Sequence, residues 1–196
     1  MEAFQFNSSA VPLPIENVDT DQIIPARFLK LVVKSGFGEN LFRDWRYNKD
    51  GSENENFVLN NPTYNGRILI AGKNFGCGSS REHAAWAIKQ FGFDVVISSE
   101  FADIFKNNAL NNAILPIEVS TGFLDVCFQA IESDPKTEFG VDLNAQVVSI
   151  PSDDLTFEFD INPFKKECLL KGMDELDYLL SLGEEITKFE KAQTIY

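Results

Sequence analysis

Cysteine and histidine are scarce in this sequence, which limits the metal sites that it could hold. Its 196 residues include three cysteines and a single histidine, and the cysteines, at positions 77, 127 and 168, form no C-x-x-C pair. Zinc and iron–sulfur sites are built from clustered thiolate and imidazole ligands. We therefore expect this chain to bind no metal by itself. The cysteines are few and odd in count, which also favours a reducing, cytoplasmic location.

Basic residues and long apolar runs are also few. Lysine and arginine number 17 against 30 aspartates and glutamates, for a formal net charge of −13. Nucleic acids and anionic membrane surfaces are bound by clustered basic residues. The apolar runs are far shorter than the roughly 20 residues of a membrane-spanning helix, and the first residues lack the basic and apolar regions of a secretory signal. The composition thus argues against nucleic-acid and membrane partners.

The middle of the chain alternates short apolar runs with segments of helical period. The helical segments place apolar residues on one face, for example Ala84, Ile88 and Phe91, and further along Ile104 and Phe105. The apolar runs predict strands with the sequences RILIAG (67–72), DVVISS (94–99) and AILPIEV (113–119). Strands that alternate with helices in this way predict an α/β fold with parallel strands.

The rest of the chain is less uniform. Residues 146–161 show alternation and turn signals, which predict paired strands, and the sequence from about 163 predicts a helical extension broken near Gly183. Residues 48–66 are polar and rich in asparagine, which predicts a long loop that is either mobile or functional. The first fifty residues show no regular period. We see no repeat and no internal boundary, so we expect one domain over residues 1–196.

The segment GKNFGCGSSREHA, residues 72–84, concentrates polar and glycine residues between a predicted strand and a predicted helix. Unpaired N–H groups at a helix N-terminus favour anions. Gly76 and Gly78 permit positive φ angles and a close approach of the backbone to a ligand. The Arg81 guanidinium can hold a carboxylate through two hydrogen bonds. The segment therefore predicts a site for a carboxylate or phosphate.

Two other interpretations of this segment are open. Ser79 and Glu82 have the spacing of a capping box, with Ser79 as the N-cap and Glu82 at the third helical position, so the serine could serve the helix alone. Cys77 and His83 could form a thiol–imidazole nucleophile, although their spacing does not require them to face each other.

A second polar motif, NVDTDQIIPARF at residues 17–28, has two aspartates that could cap a turn or pair with an arginine. Three segments, NVDTDQIIPARFL, GKNFGCGSSREHAAWA and FADIFKNNALNNAILPI, resemble in this order the small subunits of isopropylmalate isomerases, a branch of the aconitase family. The string G-x-G-S-S-R-E-H-A is typical of the aconitase swivel domain. The resemblance extends over essentially the whole chain.

The resemblance implies a fold and several residue roles. The fold would be a mobile β/β/α layered swivel domain, of α/β class, with a largely parallel core sheet. Ser79 would be the catalytic base, and Ser80 and Arg81 would hold a substrate carboxylate. Asp21 would be an active-site aspartate that orients polar groups.

The family's second substrate arginine has no assigned counterpart in this sequence. If the family's spacing between the aspartate and this arginine is applied without gaps, it leads from Asp21 to Val33. Arg27 lies nearer to Asp21 and is the candidate, although the assignment stays open. The apolar residues that follow would contact the side group of the substrate, chiefly through Leu29 and Leu31.

The resemblance also implies a cofactor and a partner. A [4Fe–4S] cluster would be held by a separate large subunit, where its open iron would act as a Lewis acid. The two subunits together would be a hydro-lyase that interconverts 2- and 3-isopropylmalate, which are dicarboxylates, in leucine biosynthesis. Related small subunits act on homoaconitate or dimethylmaleate, and a non-catalytic α/β module that binds an anion is the alternative of another class.

Overall fold

A computed structural model describes residues 4–29 and 35–192 of the chain. Leu31, one of the expected substrate contacts, lies outside the described residues. The strands are β1 (Gln5–Leu13), β2 (Ile68–Ala71), β3 (Val95–Ser98), β4 (Leu115–Glu118), β5 (Glu138–Asp142), β6 (Val147–Ile150) and β7 (Leu155–Glu158). The helices are α1 (Thr20–Ile23), α2 (Arg43–Arg46), α3 (Glu82–Phe91), α4 (Asp103–Asn111), α5 (Thr121–Ser133), α6 (Pro163–Lys171), α7 (Glu175–Ser181) and α8 (Gly183–Ala192).

The seven strands form one mixed sheet in the order β4-β3-β2-β1-β5-β6-β7. Strands β1 to β4 pair in parallel, whereas β1 with β5, β5 with β6 and β6 with β7 are antiparallel. The α/β class is therefore confirmed, and the expected parallel core forms one half of the sheet. The strands predicted within residues 146–161 are β6 and β7, which pair as expected.

Apolar residues of the parallel strands build a core on each face of the sheet. On β2, Leu69 and Ala71 join the cluster that includes residues of α1, α3 and α4, while Ile68 and Ile70 join the cluster that includes residues of α5 and α6. Successive side chains of a strand point to opposite faces. A strand covered on both faces is therefore apolar throughout, which explains why β2 and its neighbours could be recognised in the sequence.

One element was not predicted from the sequence, and one expectation about a buried helical face was wrong. The N-terminal region holds β1, the central strand of the sheet, whose first half is polar because residues 5–9 are only partly covered. Ile104 was expected on a buried helical face but is 50% exposed. Since α4 begins at Asp103, the residues that face the core are Phe105 and Ala109, one turn apart.

The regions expected to be a loop and an extension differ in structure. Residues 48–66 include a 3₁₀ turn at Val58–Asn60, and the Asn60 side-chain amide donates to the carbonyls of Arg46 and Asn54 at 2.6 and 3.0 Å. The mobility of this loop stays a prediction. Helices α6, α7 and α8 occupy the range expected to be helical, and α7 ends two residues before Gly183. Within residues 4–29 and 35–192, no helix is long and apolar enough to cross a membrane.

Candidate active site

Two loops meet at the carboxyl ends of β1 and β2. We call them the site loops, residues 14–21 and 72–81. Because β1 and β2 are parallel, both loops leave the sheet at the same edge, where ligands of α/β folds usually bind. The Val18 carbonyl accepts from the N–H groups of Gly76 and Cys77 at 2.8 and 3.2 Å, and the Cys77 carbonyl accepts from the Thr20 N–H at 2.9 Å. The two motifs of the sequence thus form one hydrogen-bonded unit.

Gly76 and Gly78 give the second site loop its shape, with φ angles of 77° and 86°. A Cβ atom at Gly76 would lie 2.2–2.7 Å from side-chain atoms of Phe105, and one at Gly78 would lie 3.3 Å from the Cβ of Asp19. Glycine reaches this φ range without steric cost. Both glycines therefore fit the loop against the protein, while their role toward a bound anion stays a prediction.

The two aspartates of the first motif have different partners. The Asp19 carboxylate accepts from the Gln22 N–H at 2.8 Å, and the Gln22 side chain accepts from the Asp19 N–H at 2.9 Å, which completes a capping box at α1. Asp21 instead forms an ion pair with Arg81, 60 residues away in sequence. One aspartate thus caps a turn and the other meets an arginine, so both sequence alternatives occur.

The Arg81–Asp21 ion pair holds a largely buried guanidinium at the edge of the site. The Arg81 side chain is 15% exposed, and that of Asp21 is 52% exposed. A guanidinium has five N–H donors, and one carboxylate cannot occupy all of them. Arg81 can therefore keep its contact with Asp21 and donate to a second anion.

The capping box expected at Ser79 and Glu82 is not formed. Helix α3 begins at Glu82, its N-cap residue is Arg81, and within the described structure no side chain caps this end. Since an N-cap residue directly precedes the first helical residue, a serine two positions earlier cannot take that place. Ser79 and Ser80 are exposed. Both serines are therefore accessible to solvent, in the two positions ahead of Arg81.

Arg27 and Leu29 have partners outside the site loops. The Arg27 guanidinium donates to the Asp44 carboxylate, with Nη1 to Oδ2 at 2.9 Å, and its side chain is 55% exposed. This hydrogen bond raises the pKa of Arg27 and lowers the pKa of Asp44. Leu29 packs, partly buried, against the core cluster on the α3 face of the sheet. The substrate roles expected for Arg27 and Leu29 stay predictions.

The thiol–imidazole nucleophile is not supported by the structure. The Cys77 thiol contacts the carbonyl of Asn17 at 3.4 Å, whereas the His83 ring packs against Phe37 and Trp86, with centroid distances of 5.3 and 4.6 Å. Burial, followed by the nearby charge of Asp19, raises the pKa of the Cys77 thiol. A raised pKa disfavours the reactive thiolate.

The chain's three cysteines lie in different elements, which bears on the expected iron–sulfur cluster. Cys77 lies in a site loop, Cys127 on α5 and Cys168 on α6. Burial raises the pKa of Cys127 to about 12, far from the thiolate that a cluster needs. Over residues 4–29 and 35–192, no three His, Cys, Asp or Glu side chains are grouped closely enough to hold a metal ion. These residues do not fit the ligand set of a cluster.

Comparison with known proteins decides the family. A family model of the aconitase C-terminal domain matches residues 2–122, more than half of the chain, and a second one, LeuD_N, matches residues 125–163. This chain belongs to the aconitase family. The matched residues include both site loops.

Relatives within the aconitase family match the chain almost from end to end. The 3-isopropylmalate dehydratase small subunit of Cytophaga hutchinsonii is 60% identical over 97% of this chain and 96% of its own length. That of Christiangramia forsetii is 58% identical over 97% and 94%. The crystal structure of 3-isopropylmalate dehydratase (LeuD) from Methanocaldococcus jannaschii matches with a TM-score of 0.67 and 27% identity, over 95% of this chain and 98% of that one.

Thr20 is the residue of the site that sequence reasoning missed. It is 2% exposed, and its hydroxyl donates to the main-chain carbonyl of Ser79 at 2.8 Å. The available signal was a hydroxyl residue between two aspartates in the first motif. That signal indicates a polar turn, but it does not indicate a contact with the second motif.

Proposed function

We propose that this chain is the small subunit of an isopropylmalate isomerase, a hydro-lyase that interconverts 2- and 3-isopropylmalate in leucine biosynthesis and is active only with its large subunit. The observation that carries the proposal is the near full-length likeness to proteins named as such small subunits. The two site loops, which carry Ser79 and the Arg81–Asp21 ion pair, leave the sheet at one edge, and these groups are compatible with the reaction. We further propose that the enzyme is cytoplasmic.

In this proposal Ser79 transfers the proton at carbon. Dehydration removes a proton from one carbon of the substrate and hydroxide from its neighbour, which gives isopropylmaleate, and water then adds in the opposite sense. A serine hydroxyl is a weak acid in water, so an alkoxide needs stabilisation. Ser79 lies two positions ahead of Arg81, the N-cap residue of α3, and in this proposal the helix N-terminus and the Arg81 guanidinium would stabilise negative charge on Ser79 once the site is closed from water. Ser79 would then accept the proton in one half-reaction and return it in the other.

The carboxylates of the substrate would be held by Arg81 and Ser80. Arg81 would donate through its free N–H groups while Asp21 fixes the guanidinium, an arrangement that costs little reorganisation on binding. Arg27 would hold the second carboxylate, for which it would exchange its contact with Asp44 for the substrate. Leu29, together with Leu31, would contact the isopropyl group.

The iron–sulfur cluster would belong to the large subunit, because the described residues of this chain do not fit its ligand set. There it would supply Lewis-acid assistance to the departing hydroxyl group. The contribution of this chain is the proton transfer and the binding of carboxylates.

Hydration of isopropylmaleate by the two-subunit enzyme tests the proposal. The chain is co-expressed with a bacterial large subunit, the cluster is reconstituted without oxygen, and loss of the conjugated double bond is followed by ultraviolet absorbance. Activity that requires both chains supports the proposal. Faster turnover of homoaconitate or dimethylmaleate would identify a different substrate of the same enzyme family. Absence of all three activities, with binding of a dicarboxylate retained, would favour a non-catalytic module.

A further inference from the structure

We propose that Thr20 is a positioning residue that fixes the Ser79–Ser80 peptide unit for the reaction, an inference that rests on the proposed function. Thr20 is the first residue of α1 and is 2% exposed. Its N–H donates to the Cys77 carbonyl at 2.9 Å. Its hydroxyl donates to the Ser79 carbonyl at 2.8 Å, across 59 residues of sequence. One buried residue therefore holds the second site loop on both sides of Gly78.

The hydroxyl contact matters because the loop is intrinsically permissive at this point. Gly78 has a φ of 86° and no side chain to limit rotation. Ser79 is exposed, so packing restrains it little. Without the contact from Thr20, rotation at Gly78 would move Ser79 relative to the rest of the site. The hydrogen bond therefore sets where the proposed base lies.

The same contact orients a main-chain donor. The Ser79–Ser80 peptide bond is trans, and in a trans peptide the C=O and N–H groups point in opposite directions. Because the Ser79 carbonyl points to buried Thr20, the Ser80 N–H points outward, to the face where both serines are exposed. An outward N–H in a fixed position is a donor for a substrate carboxylate or for charge that develops in the reaction.

Three variants separate positioning from stability. Thr20→Val removes the hydroxyl and keeps the branched shape, and Thr20→Ser keeps the hydroxyl. Ser98→Ala is the matched control, because Ser98 is fully buried and its hydroxyl donates to the Gly72 carbonyl at 2.8 Å, at the start of the same loop. For each two-subunit enzyme, kcat and KM for isopropylmaleate and the thermal midpoint are measured.

The expected result is a split between the variants. Since a displacement on the order of 1 Å at a reacting group can cost about a hundredfold in rate, kcat of Thr20→Val should fall about tenfold or more, and by a larger factor than KM rises. Thr20→Ser should restore kcat. Ser98→Ala should lower the thermal midpoint and keep kcat. A Thr20→Val enzyme that loses thermal stability as Ser98→Ala does, but keeps its kcat, would overturn the proposal.

A second readout does not depend on activity. The carbonyl ¹³C resonance of Ser79 in the full chain reports its hydrogen bond, so it should move upfield in Thr20→Val and stay in place in Thr20→Ser and Ser98→Ala. An unmoved resonance in Thr20→Val would also overturn the proposal. If the wild-type two-subunit enzyme shows no hydration, the proposed function fails, while the carbonyl shift still decides whether Thr20 holds Ser79.

Discussion

The site loops and the segment that follows α1, residues 26–60, contain similar residues in different surroundings. Each has an aspartate–arginine pair and a glycine with positive φ. Arg81 is 15% exposed and pairs with Asp21 across 60 residues of sequence, whereas Arg27 is 55% exposed and pairs locally with Asp44. The same pair of residue types is therefore largely buried at its arginine where it joins segments distant in sequence, and exposed where it joins residues nearer in sequence.

The largest difference in stability is expected between alanine substitutions at Gly76, in a site loop, and Gly51, in the other segment. Gly76→Ala places a Cβ against Phe105 at a φ of 77°, so overpacking and backbone strain should together lower the free energy of unfolding by about 2–5 kcal/mol. Gly51 has a φ of 86° with nothing within 4 Å of an added Cβ, so Gly51→Ala should lower it by about 1–2 kcal/mol, from strain alone. Urea unfolding of the isolated chain measures both. Equal losses would remove the packing argument.

The Arg81–Asp21 ion pair of the site should affect activity more than stability. Arg81→Lys keeps the charge but loses the planar fork, and hydrogen bonds to charged groups are worth about 1.5–3 kcal/mol. The catalytic efficiency, kcat/KM, of the two-subunit enzyme should therefore fall roughly 10- to 150-fold. Arg67→Lys is the control, because Arg67 pairs with Asp94 at the opposite end of β2. A similar loss in the control would mean that Arg81 acts through folding.

The exposed pair should contribute a small, acid-sensitive stability. The hydrogen bond from Arg27 lowers the pKa of Asp44 below its ordinary 3.8. A lowered pKa in the folded state stabilises the protein above the unfolded-state value, and this contribution is lost as the pH falls through the folded-state value. For an exposed pair the gain is about 0–1 kcal/mol. Asp44→Asn should therefore lower the thermal midpoint slightly at pH 7 and leave it unchanged near pH 2. An equal decrease at both pH values would contradict the ion-pair explanation.

How much could be predicted from the sequence depends on whether a contact selects a residue type. Strands buried on both faces must be apolar, so β2, β3 and β4 were recognisable. Glycine reaches positive φ without steric cost, so the positive φ angles of Gly76 and Gly78 could be anticipated. The hydrogen bond from Thr20 to Ser79 could not be recognised. Its acceptor is the main-chain carbonyl, which any residue at position 79 would have, so the bond does not select the residue type there. Strand β1 was not recognised in the sequence either. Its first half is only partly covered, so that half need not be apolar.

The start of helix α3 likewise could not be predicted from the local sequence. The spacing of Ser79 and Glu82 fits a capping box, yet α3 begins at Glu82. The pattern S-x-x-E is local, whereas residues 76–81 also make long-range contacts with the first site loop. Ser79 lies outside the helix and is exposed.

The most direct test of this account is kcat of the two-subunit enzyme with Ser79→Ala, measured beside Ser80→Ala for hydration of isopropylmaleate. If Ser79 transfers the proton at carbon, its loss should reduce kcat by about 100-fold or more, with the two chains still associated. Ser80→Ala should mainly raise KM, because that hydroxyl is proposed to hold a carboxylate. A Ser79→Ala enzyme that turns over as fast as wild type would contradict the account and assign the base to the large subunit.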